Sequence, residues 1–537
     1  MTGRRSDHLL RLADAVLQPG FVGTAPPAWI RRRLADGLGG VALFSRNIVD
    51  PAQVAALTTA LRAENPDVVV GVDEEAGDVT RFESRTGSSR PGNLALGAVD
   101  DPDLTEAVAR DLGYELAAAG ITLNYAPDAD VNSNADNPVI GVRSFGSDPD
   151  LVSRHTAAWV RGLQSAGVGA CAKHFPGHGN TSVDSHHAAP MIEASRDELF
   201  ACELMPFRAA IAAGVQAIMS AHLFVPSIDP DHPATVSRLL LTELLRGQLG
   251  FRGLIVTDAI EMAALSRSYG LAGAAVRALA AGADAICVGG ETADEESAVA
   301  LRDAIADAVA AGELRQERLA AAADQVWRFA RWSGERRRDL ALAQPVAADV
   351  VTVATNGNGN GHVPGNGHAG GNGHRVLVNG SLVGLAAARR AVRVTGSDAA
   401  VLPLTTAPHV VELGSHGNMA IAPETPWGVG VPLGDLLPGT TTVRLTAGEV
   451  PDAARLGAVA LAPAAGRPLV IVVRDAHRHP WMSEALRTLL AARPDAIVVE
   501  MGVPAARSGQ VYLATYGASR ANGLAAAEVL AGSPNPS

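Results

Sequence analysis

The sequence predicts an α/β protein: a (β/α)8, TIM-like barrel in residues 1–340, followed by a smaller α/β sandwich domain in residues 375–537. Three observations indicate this architecture. Short apolar runs alternate with Ala/Leu-rich helical stretches, polar residues follow those runs directly, and a Gly/Asn-rich segment separates two such patterns. This alternation is typical of a parallel sheet, because each helix returns the chain to the start of the next strand.

Seven apolar runs in the first 340 residues have the length and composition of buried strands. These predicted strands are Val41–Phe44, Val68–Val72, Ile121–Tyr125, Val168–Ala172, Ala217–Ser220, Leu254–Thr257 and Ala285–Val288. Helical patterns lie between them, at Asp103–Ala119, Leu151–Ala166 and Arg196–Ala213. Periodicity alone does not distinguish an open sheet from a closed barrel.

Side chains that are able to bind a ligand or transfer a proton follow five of the predicted strands. They are Asp73, Glu74, Glu75, Asp128, Asp130, Lys173, His174, His222 and Asp258. Ligand sites of parallel α/β folds lie at the carboxyl ends of the strands, and in a closed barrel these ends surround one mouth. Five polar strand ends therefore favour the barrel over the open sheet.

A segment rich in glycine and asparagine separates the two parts of the chain. Residues 355–374, TNGNGNGHVPGNGHAGGNGH, carry almost no apolar side chains, so we expect residues 341–374 to be a flexible linker. After it, RVLVNGS, HVVELGS, PLVIVVRD and AIVVEMG predict short buried strands. The helices predicted with them are Ala387–Ala391, Met482–Ala492 and Ser519–Leu530.

The composition narrows the class of protein. With 47% hydrophobic and 19% charged residues, the chain is able to bury a large core. A net charge of −12 argues against nucleic acid or an anionic membrane as a partner. Arg11 and Asp14 interrupt the apolar N-terminal segment, unlike a secretory signal, and no apolar run approaches the roughly 20 residues of a membrane helix. We therefore expect a cytoplasmic protein whose three cysteines stay reduced.

The segment KHFPGHGNTSVDSHHAAP, residues 173–190, concentrates four histidines, a lysine and an aspartate. His174 and His178 have the spacing of a zinc helix, but Pro176 and Gly177 oppose a helix there and no suitable glutamate follows. GHGNTS is able to form an anion-binding nest, although nothing else in the sequence supports a phosphate cradle. We therefore predict no metal and no cofactor. Of the three kinds of site, an acid/base centre is the interpretation that remains for this segment.

Within this segment, Asp184 and His186 have the spacing of an acid/base pair. In an extended segment, side chains two residues apart share one side, so the carboxylate is able to bond one imidazole nitrogen. Such a bond fixes the tautomer and stabilises the protonated ring, while the second nitrogen faces a substrate.

KHFPGHGNTSVDSH resembles the signature of glycoside hydrolase family 3, in its β-N-acetylglucosaminidase branch. GVDEEAGDVTRF, NPVIGVRSFGSDP, GLIVTDAIEMAAL and ATYGASRANGLAAAEVLAG are similar to further segments of that family, in the same order, so the resemblance spans nearly the whole chain. Four positions depart from the family pattern. Glu74 replaces a glutamine, Ala76 a glycine, Asp78 a common arginine and Asn180 an aspartate.

By position, the resemblance implies that Asp258 is the catalytic nucleophile, His186 the general acid/base and Asp184 the partner that orients it. The residues that it implies as ligands of sugar hydroxyls are Asp73, Arg143, Lys173 and His174. His222, at a strand end, is a further candidate for substrate binding, although that place also suits a structural role.

The resemblance implies a retaining exo-β-N-acetylglucosaminidase that forms a covalent glycosyl-aspartate intermediate. Its substrates would be muropeptides or chitooligosaccharides with terminal β-N-acetylglucosamine, which suggests a role in peptidoglycan recycling. An imidazole, unlike a carboxylate, does not repel a phosphate dianion, so a phosphorylase that uses phosphate as the acceptor is the alternative. A glycan-binding protein without catalytic activity is a second alternative.

Overall fold

The computed structural model describes residues 6–181, 190–290, 292–343, 380–396, 401–414, 420–448 and 453–532. We call residues 6–343 the first lobe and residues 380–532 the second lobe. The predicted linker, from residue 344 onward, lies outside the described residues, and so do Asp184 and His186. Among the described helices, none has both the length and the apolar character that crossing a membrane requires.

The first lobe alternates strands with helices. Its strands are β1 (Leu17–Pro19), β2 (Gly40–Leu43), β3 (Val69–Val72), β4 (Leu123–Asn124), β5 (Gly169–Phe175), β6 (Ala217–Ser220), β7 (Leu254–Thr257) and β8 (Ile286–Val288). Its α-helices are α1 (Asp7–Ala15), α2 (Ala28–Asp36), α3 (Pro51–Glu64), α4 (Asn93–Val99), α5 (Pro102–Ala118), α6 (Pro149–Ser165), α7 (Arg196–Ala201), α8 (Met205–Ala212), α9 (Ala263–Ala281), α10 (Glu295–Ala310) and α11 (Gln316–Ala343). A π-helix, Leu239–Gln248, precedes β7.

Strands β2 to β7 form one curved parallel sheet in chain order. β1 pairs in parallel with β8, and a bridge between Val256 and Ala285 links the end of β7 to the start of β8. Because every strand of the sheet runs in the same direction, the residues that follow the strands gather at one edge.

The seven predicted strands of this lobe correspond to β2–β8, and β1 was not predicted. Leu-Gln-Pro is too short and too polar to stand out as a strand. The predicted helix Arg196–Ala213 is wrong as one element, because the structure has two helices, α7 and α8, on either side of Cys202–Leu204. Pro206 lies in the first turn of α8, where a missing N–H costs no helical hydrogen bond, so it favours a new helix start.

Side chains on both faces of the curved sheet are buried, as a parallel sheet covered by helices requires. On the concave face, Leu123, Cys171 and Leu254 form one apolar cluster with Phe329 of α11. On the opposite face, strand residues pack with the surrounding helices, whose fully buried Trp159 lies in the largest cluster of the protein's described residues. These two apolar clusters hold in place the strands whose carboxyl ends form the polar edge of the sheet.

The second lobe is a six-stranded sheet with an apolar cluster on each face. Its strands, in the spatial order β11-β10-β12-β13-β14-β9, are β9 (Arg393–Thr395), β10 (His409–Gly414), β11 (Thr441–Thr446), β12 (Leu469–Val473), β13 (Ile497–Glu500) and β14 (Val511–Ala514). Its helices are α12 (Leu382–Ala391), α13 (Gly430–Leu436), α14 (Ala453–Leu456), α15 (Pro480–Ala492) and α16 (Arg520–Ala531). α15 packs on the face of Ile471, whereas α13 and α16 pack on the face of Val472.

Three of the four predicted strands of this lobe are present as β10, β12 and β13. The apolar part of RVLVNGS, residues 375–379, lies outside the described residues. β9 and β11 were not predicted, because they are the two edge strands and carry exposed polar side chains instead of an apolar run. β9 pairs antiparallel with β14, and the other pairings are parallel.

Close packing of α5 against α6 generates a test of this fold. Gly162 of α6 faces α5 so closely that a Cβ atom there would overlap the carbonyl oxygen of Glu106. We expect Gly162→Ala to destabilise the protein by about 1–3 kcal/mol and to lower its unfolding temperature. The matched control is Gly334→Ala in α11, where a Cβ would meet no atom within 4 Å and where alanine favours the helix by about 1 kcal/mol. Equal unfolding temperatures of the two variants, measured by circular dichroism, would contradict this packing.

Candidate active site

A cavity of about 630 Å³ lies at the carboxyl ends of the first-lobe strands. Residues that follow or end six different strands line it, which is where side chains from separate strands converge in parallel α/β folds. They include Phe44, Asp73, Tyr125, Lys173, His174, Asp258 and Gly290. Of the sequence-predicted site residues, Asp73, Arg143, Lys173, His174 and Asp258 therefore share one cavity.

Two acidic and two basic side chains form a paired network on one wall of the cavity. The Lys173 ammonium binds the carboxylates of Asp73 and Glu75, the latter at 2.6 Å. Glu75 also accepts two hydrogen bonds from the Arg143 guanidinium, at 2.7 and 2.9 Å. The side chains of Lys173, Arg143 and Glu75 are at most 5% exposed, whereas that of Asp73 is 30% exposed. Asp73 is thus the most exposed of these four side chains.

Pairing keeps the buried members of this network charged. Burial alone would raise the pKa of Glu75, but Arg143 and Lys173 hold it well below its ordinary value. Burial likewise opposes the charge of Lys173, yet the carboxylates of Asp73 and Glu75 raise the pKa of that ammonium above its ordinary value. Since an isolated buried charge costs several kcal/mol, each group depends on its partners.

His174 is held in one orientation by Asp130. Its Nδ1 lies 2.8 Å from Asp130 Oδ2, so Nδ1–H donates and Nε2 keeps its lone pair, which faces Arg143 Nη2 at 3.4 Å. Asp130 Oδ1 also accepts the backbone amides of His174 and His178. Burial opposes the charge of Asp130, but His174 and these contacts lower its pKa.

His178 shapes the loop after β5. Burial lowers the pKa of His178 to about 4, so the ring is neutral near pH 7, and its Nδ1 lies 2.7 Å from the Thr181 hydroxyl. Its carbonyl accepts a hydrogen bond from Asn137 at 2.8 Å.

Asp128, Asp130 and His174 lie close enough together to be considered as metal ligands. The chemistry of the set does not fit a divalent cation. Burial and the neighbouring Asp130 raise the pKa of Asp128 well above its ordinary value, which favours the protonated form, a poor ligand. The Arg143 guanidinium, 3.8 Å from Asp128, already supplies the positive charge.

Asp258 begins the turn after β7. Its backbone N–H donates to Ser220 O at 3.1 Å, and its Oδ1 accepts the amide of Ala259 at 2.8 Å. These bonds fix the backbone from which the carboxylate reaches the cavity.

The structure places His222 behind this turn. The ring is 1% exposed, its Nε2–H donates to the carbonyl of Ala259 at 3.0 Å, and its Nδ1 bonds the Thr235 hydroxyl at 2.8 Å. A carbonyl oxygen only accepts, so Nε2 carries the proton. Of the two roles considered for His222, this geometry favours support of the Asp258 turn over contact with substrate.

Asp184 and His186 lie outside the described residues, but the chain on either side of them is anchored to the first lobe. Before them, Asn134 Nδ2 donates to the carbonyl of Thr181 at 3.3 Å. After them, Met191 forms a parallel bridge with Phe224, and the amide of Ile192 donates to Phe224 O at 2.9 Å.

Sequence reasoning missed a wall of the cavity that comes from the second lobe. Residues 420–424 line it, and Arg81 connects them to Asp73: one guanidinium nitrogen donates to Ala420 O at 2.8 Å and another lies 3.4 Å from the Asp73 carboxylate. Arg81 lies in the segment GVDEEAGDVTRF, so its place near the site was visible. No local pattern marks residues 420–424, because they reach the cavity through long-range packing.

Two of the departures from the family pattern point away from the cavity. Glu74 is fully buried, and one of its carboxylate oxygens accepts from Thr80 and from the amides of Arg81 and Phe82 at 2.7–3.0 Å. Burial raises the pKa of Glu74 to about 7. Glu74 therefore shapes the turn after β3, and Asp78 contacts the second lobe instead of the cavity.

Comparison with known proteins identifies the family of this chain. The model of the glycosyl hydrolase family 3 N terminal domain matches residues 22–329. A beta-hexosaminidase from Thiobacillus denitrificans is 41% identical over 276 residues, which are 49% of this chain and 76% of that protein. Beta-hexosaminidase A from Pseudoalteromonas piscicida is 34% identical over 345 residues, and the match spans 60% of this chain but only 58% of the relative.

A solved structure resembles the chain over both lobes. It is a glycoside hydrolase family 3 beta-N-acetylglucosaminidase from Paenibacillus sp., which is 32% identical with a TM-score of 0.82 over 98% of this chain and 97% of the other. Because the family model matches more than half of the sequence, the chain belongs to glycosyl hydrolase family 3, a family of glycoside hydrolases.

Proposed function

We propose that this protein is a retaining exo-β-N-acetylglucosaminidase with Asp258 as its nucleophile. The observation that carries the proposal is that Asp258 shares one cavity with Asp73, Lys173, Arg143 and His174. A hydroxyl-binding group and a carboxylate nucleophile in one closed space are what a retaining glycosidase needs on the sugar side of the scissile bond.

The charged wall of the cavity is suited to hold one sugar ring. Asp73 accepts hydrogen bonds from hydroxyl groups, whereas Lys173 and Arg143 donate to hydroxyl oxygens. His174 lines the same cavity, and its bond to Asp130 orients the ring. Since their partners already orient these groups, little entropy is lost when a sugar binds, and contacts that shorten as the ring distorts lower the barrier.

In the first step, the Asp258 carboxylate attacks the anomeric carbon and the bond to the leaving oxygen breaks, giving a glycosyl–aspartate ester. We assign to His186 the proton that the leaving oxygen receives, and to Asp184 the orientation of its ring. The anchored chain on both sides of these residues supports this assignment. In the second step, His186 takes a proton from water and the hydroxide displaces Asp258 with overall retention.

We also propose that the eight first-lobe strands close into a complete barrel and that the second lobe is a separate α/β sandwich domain. The bridge between Val256 and Ala285, and the hydrogen bond from the Gly39 amide to Asp14 O at 3.1 Å, support the closure on either side of the β1–β8 pair. The linker at residues 341–374 would connect the two domains.

We propose substrates with a terminal β-N-acetylglucosamine, as in muropeptides or chitooligosaccharides, which would place the enzyme in peptidoglycan recycling. The names of the relatives support this choice, because they are beta-hexosaminidases and a beta-N-acetylglucosaminidase.

The protein should hydrolyse p-nitrophenyl β-N-acetylglucosaminide much faster than p-nitrophenyl β-glucoside, with the same rate and product in the presence and absence of phosphate. Nitrophenol release and chromatography of the sugar product measure this. Formation of sugar 1-phosphate when phosphate is added would contradict hydrolysis, and binding of N-acetylglucosamine without turnover would indicate a glycan-binding protein.

Asp258→Asn should lower kcat by about four orders of magnitude, because an amide is not a nucleophile at the anomeric carbon. The matched control is Asp150→Asn, an exposed residue in the first turn of α6, which should retain wild-type activity. A 5-fluoro glycosyl fluoride should label the wild-type enzyme on the peptide that contains Asp258, as detected by mass spectrometry. Labelling of another carboxylate would overturn the assignment.

His186→Ala should slow the hydrolysis of substrates with poor leaving groups far more than that of dinitrophenyl glycosides, because activated phenols leave without a proton. Rates for a series of aryl N-acetylglucosaminides with different phenol acidities measure this dependence. The control is His187→Ala, which should leave the dependence unchanged. An equal loss across the series for His186→Ala would contradict its role as proton donor.

A further inference from the structure

The turn after β3 joins the sugar site to the second lobe. Ala76 and Val79 form an antiparallel bridge, and the Glu75 amide donates to Val79 O at 3.1 Å, so residues 75–79 are a tight hairpin turn. Glu75, at its base, binds Arg143 and Lys173. Asp78, at its tip, points to the other lobe.

Two second-lobe groups bind the Asp78 carboxylate. Arg474, directly after β12, donates to Asp78 Oδ2 at 2.5 Å, and the backbone amide of Ala518 donates to Oδ1 at 2.7 Å. The side chains of Asp78 and Arg474 are 3% and 11% exposed. Burial raises the pKa of Asp78 above its ordinary value and Arg474 opposes this effect, so the carboxylate depends on the guanidinium of the other lobe to stay charged.

Contacts elsewhere hold the lobes together without touching this turn. Arg390 of α12 binds Asp101 at 2.8 Å, and Arg393 donates to Ala98 O at 2.9 Å. We therefore expect the lobes to stay together when Arg474 is lost. It removes the partner of a buried carboxylate five residues from Asp73 and three from Glu75.

We propose that Arg474 is a positioning residue for the sugar site: by binding Asp78, it fixes the turn that presents Glu75. The effect passes from the second lobe through the tip of the turn to its base. Glu75 in turn orients the Lys173 ammonium and the Arg143 guanidinium, and a displacement of these donors by about 1 Å is able to cost about 100-fold in rate. The inference rests on the proposed function, because it concerns the same sugar site.

The test compares Arg474→Met with Arg390→Met, which removes an inter-lobe arginine that does not touch the turn. We expect Arg474→Met to raise KM for p-nitrophenyl β-N-acetylglucosaminide about tenfold and to lower kcat/KM by about 10- to 100-fold. Arg390→Met should stay within about twofold of the wild type. Arg474→Lys, which keeps the charge but loses the planar fork, should be intermediate.

A double variant separates positioning from folding. Arg474→Met alone leaves a buried carboxylate without its cationic partner, although the Ala518 amide still donates to it, whereas Asp78→Asn combined with Arg474→Met leaves no such charge, so the double variant should fold even where the single one does not. It should still show the raised KM, because the turn has lost its side-chain contact with Arg474. Circular dichroism and thermal unfolding report on folding.

The affinity for free N-acetylglucosamine, measured by calorimetry, gives a second readout. If the wild type binds the sugar without turnover, the proposed function fails, but a weaker affinity in Arg474→Met than in Arg390→Met would still support the positioning role. Equal KM values and equal affinities in folded Arg474→Met, or in the folded double variant, and in Arg390→Met would overturn it. The positioning role of Arg474 is also overturned if the wild type neither hydrolyses nor binds N-acetylglucosamine derivatives.

Discussion

The pairing of Lys173 with Asp73 and Glu75 is the interaction on which the cavity depends. Lys173 belongs to β5 and both acids follow β3, so the ammonium bridges over the end of β4, which lies between these strands. A lysine side chain that is 2% exposed is stable as a cation only with such partners. Burial and the neighbouring Asp130 raise the pKa of Asp128, which follows β4, and this opposes a further negative charge beside the network.

The cavity is bounded by both lobes, although the ion pairs of Lys173 with Asp73 and Glu75 come from the first. The second lobe supplies residues 420–424 to the wall and contacts the turn after β3 through Arg474. Water and salt screen buried contacts of this kind less than they screen the surface ion pairs between the lobes. Glu74 and Asp78, which depart from the family pattern, both have structural contacts here. Glu74 fills the interior of the turn after β3, and Asp78 connects the tip of that turn to the second lobe.

Much of the fold was predictable, because buried parallel strands are short apolar runs and the helices between them are rich in Ala and Leu. The elements that were missed lack such a run: β1 contains a glutamine and a proline, and β9 and β11 are edge strands with exposed polar residues. The Met-Pro sequence at the start of α8 is compatible with a new helix start. The Ala-rich periodic pattern around it nevertheless predicted one continuous helix. In the site, the four predicted sugar ligands and Asp258 share one cavity, whereas His222 lies behind the Asp258 turn.

The sequence by itself determined the order of strands and helices, the residues at the strand ends and the family to which they belong. These properties depend on local pattern, on charge and on long motifs, which need no coordinates. Only the tertiary structure decided which acids are paired, which carboxyls have a raised pKa, and that the second lobe reaches the cavity. Pairing and burial depend on distances between residues far apart in the chain: Asp73 and Lys173 are separated by 100 residues, and Asp78 and Arg474 by 396. No local pattern encodes these distances, because packing of the whole chain sets them.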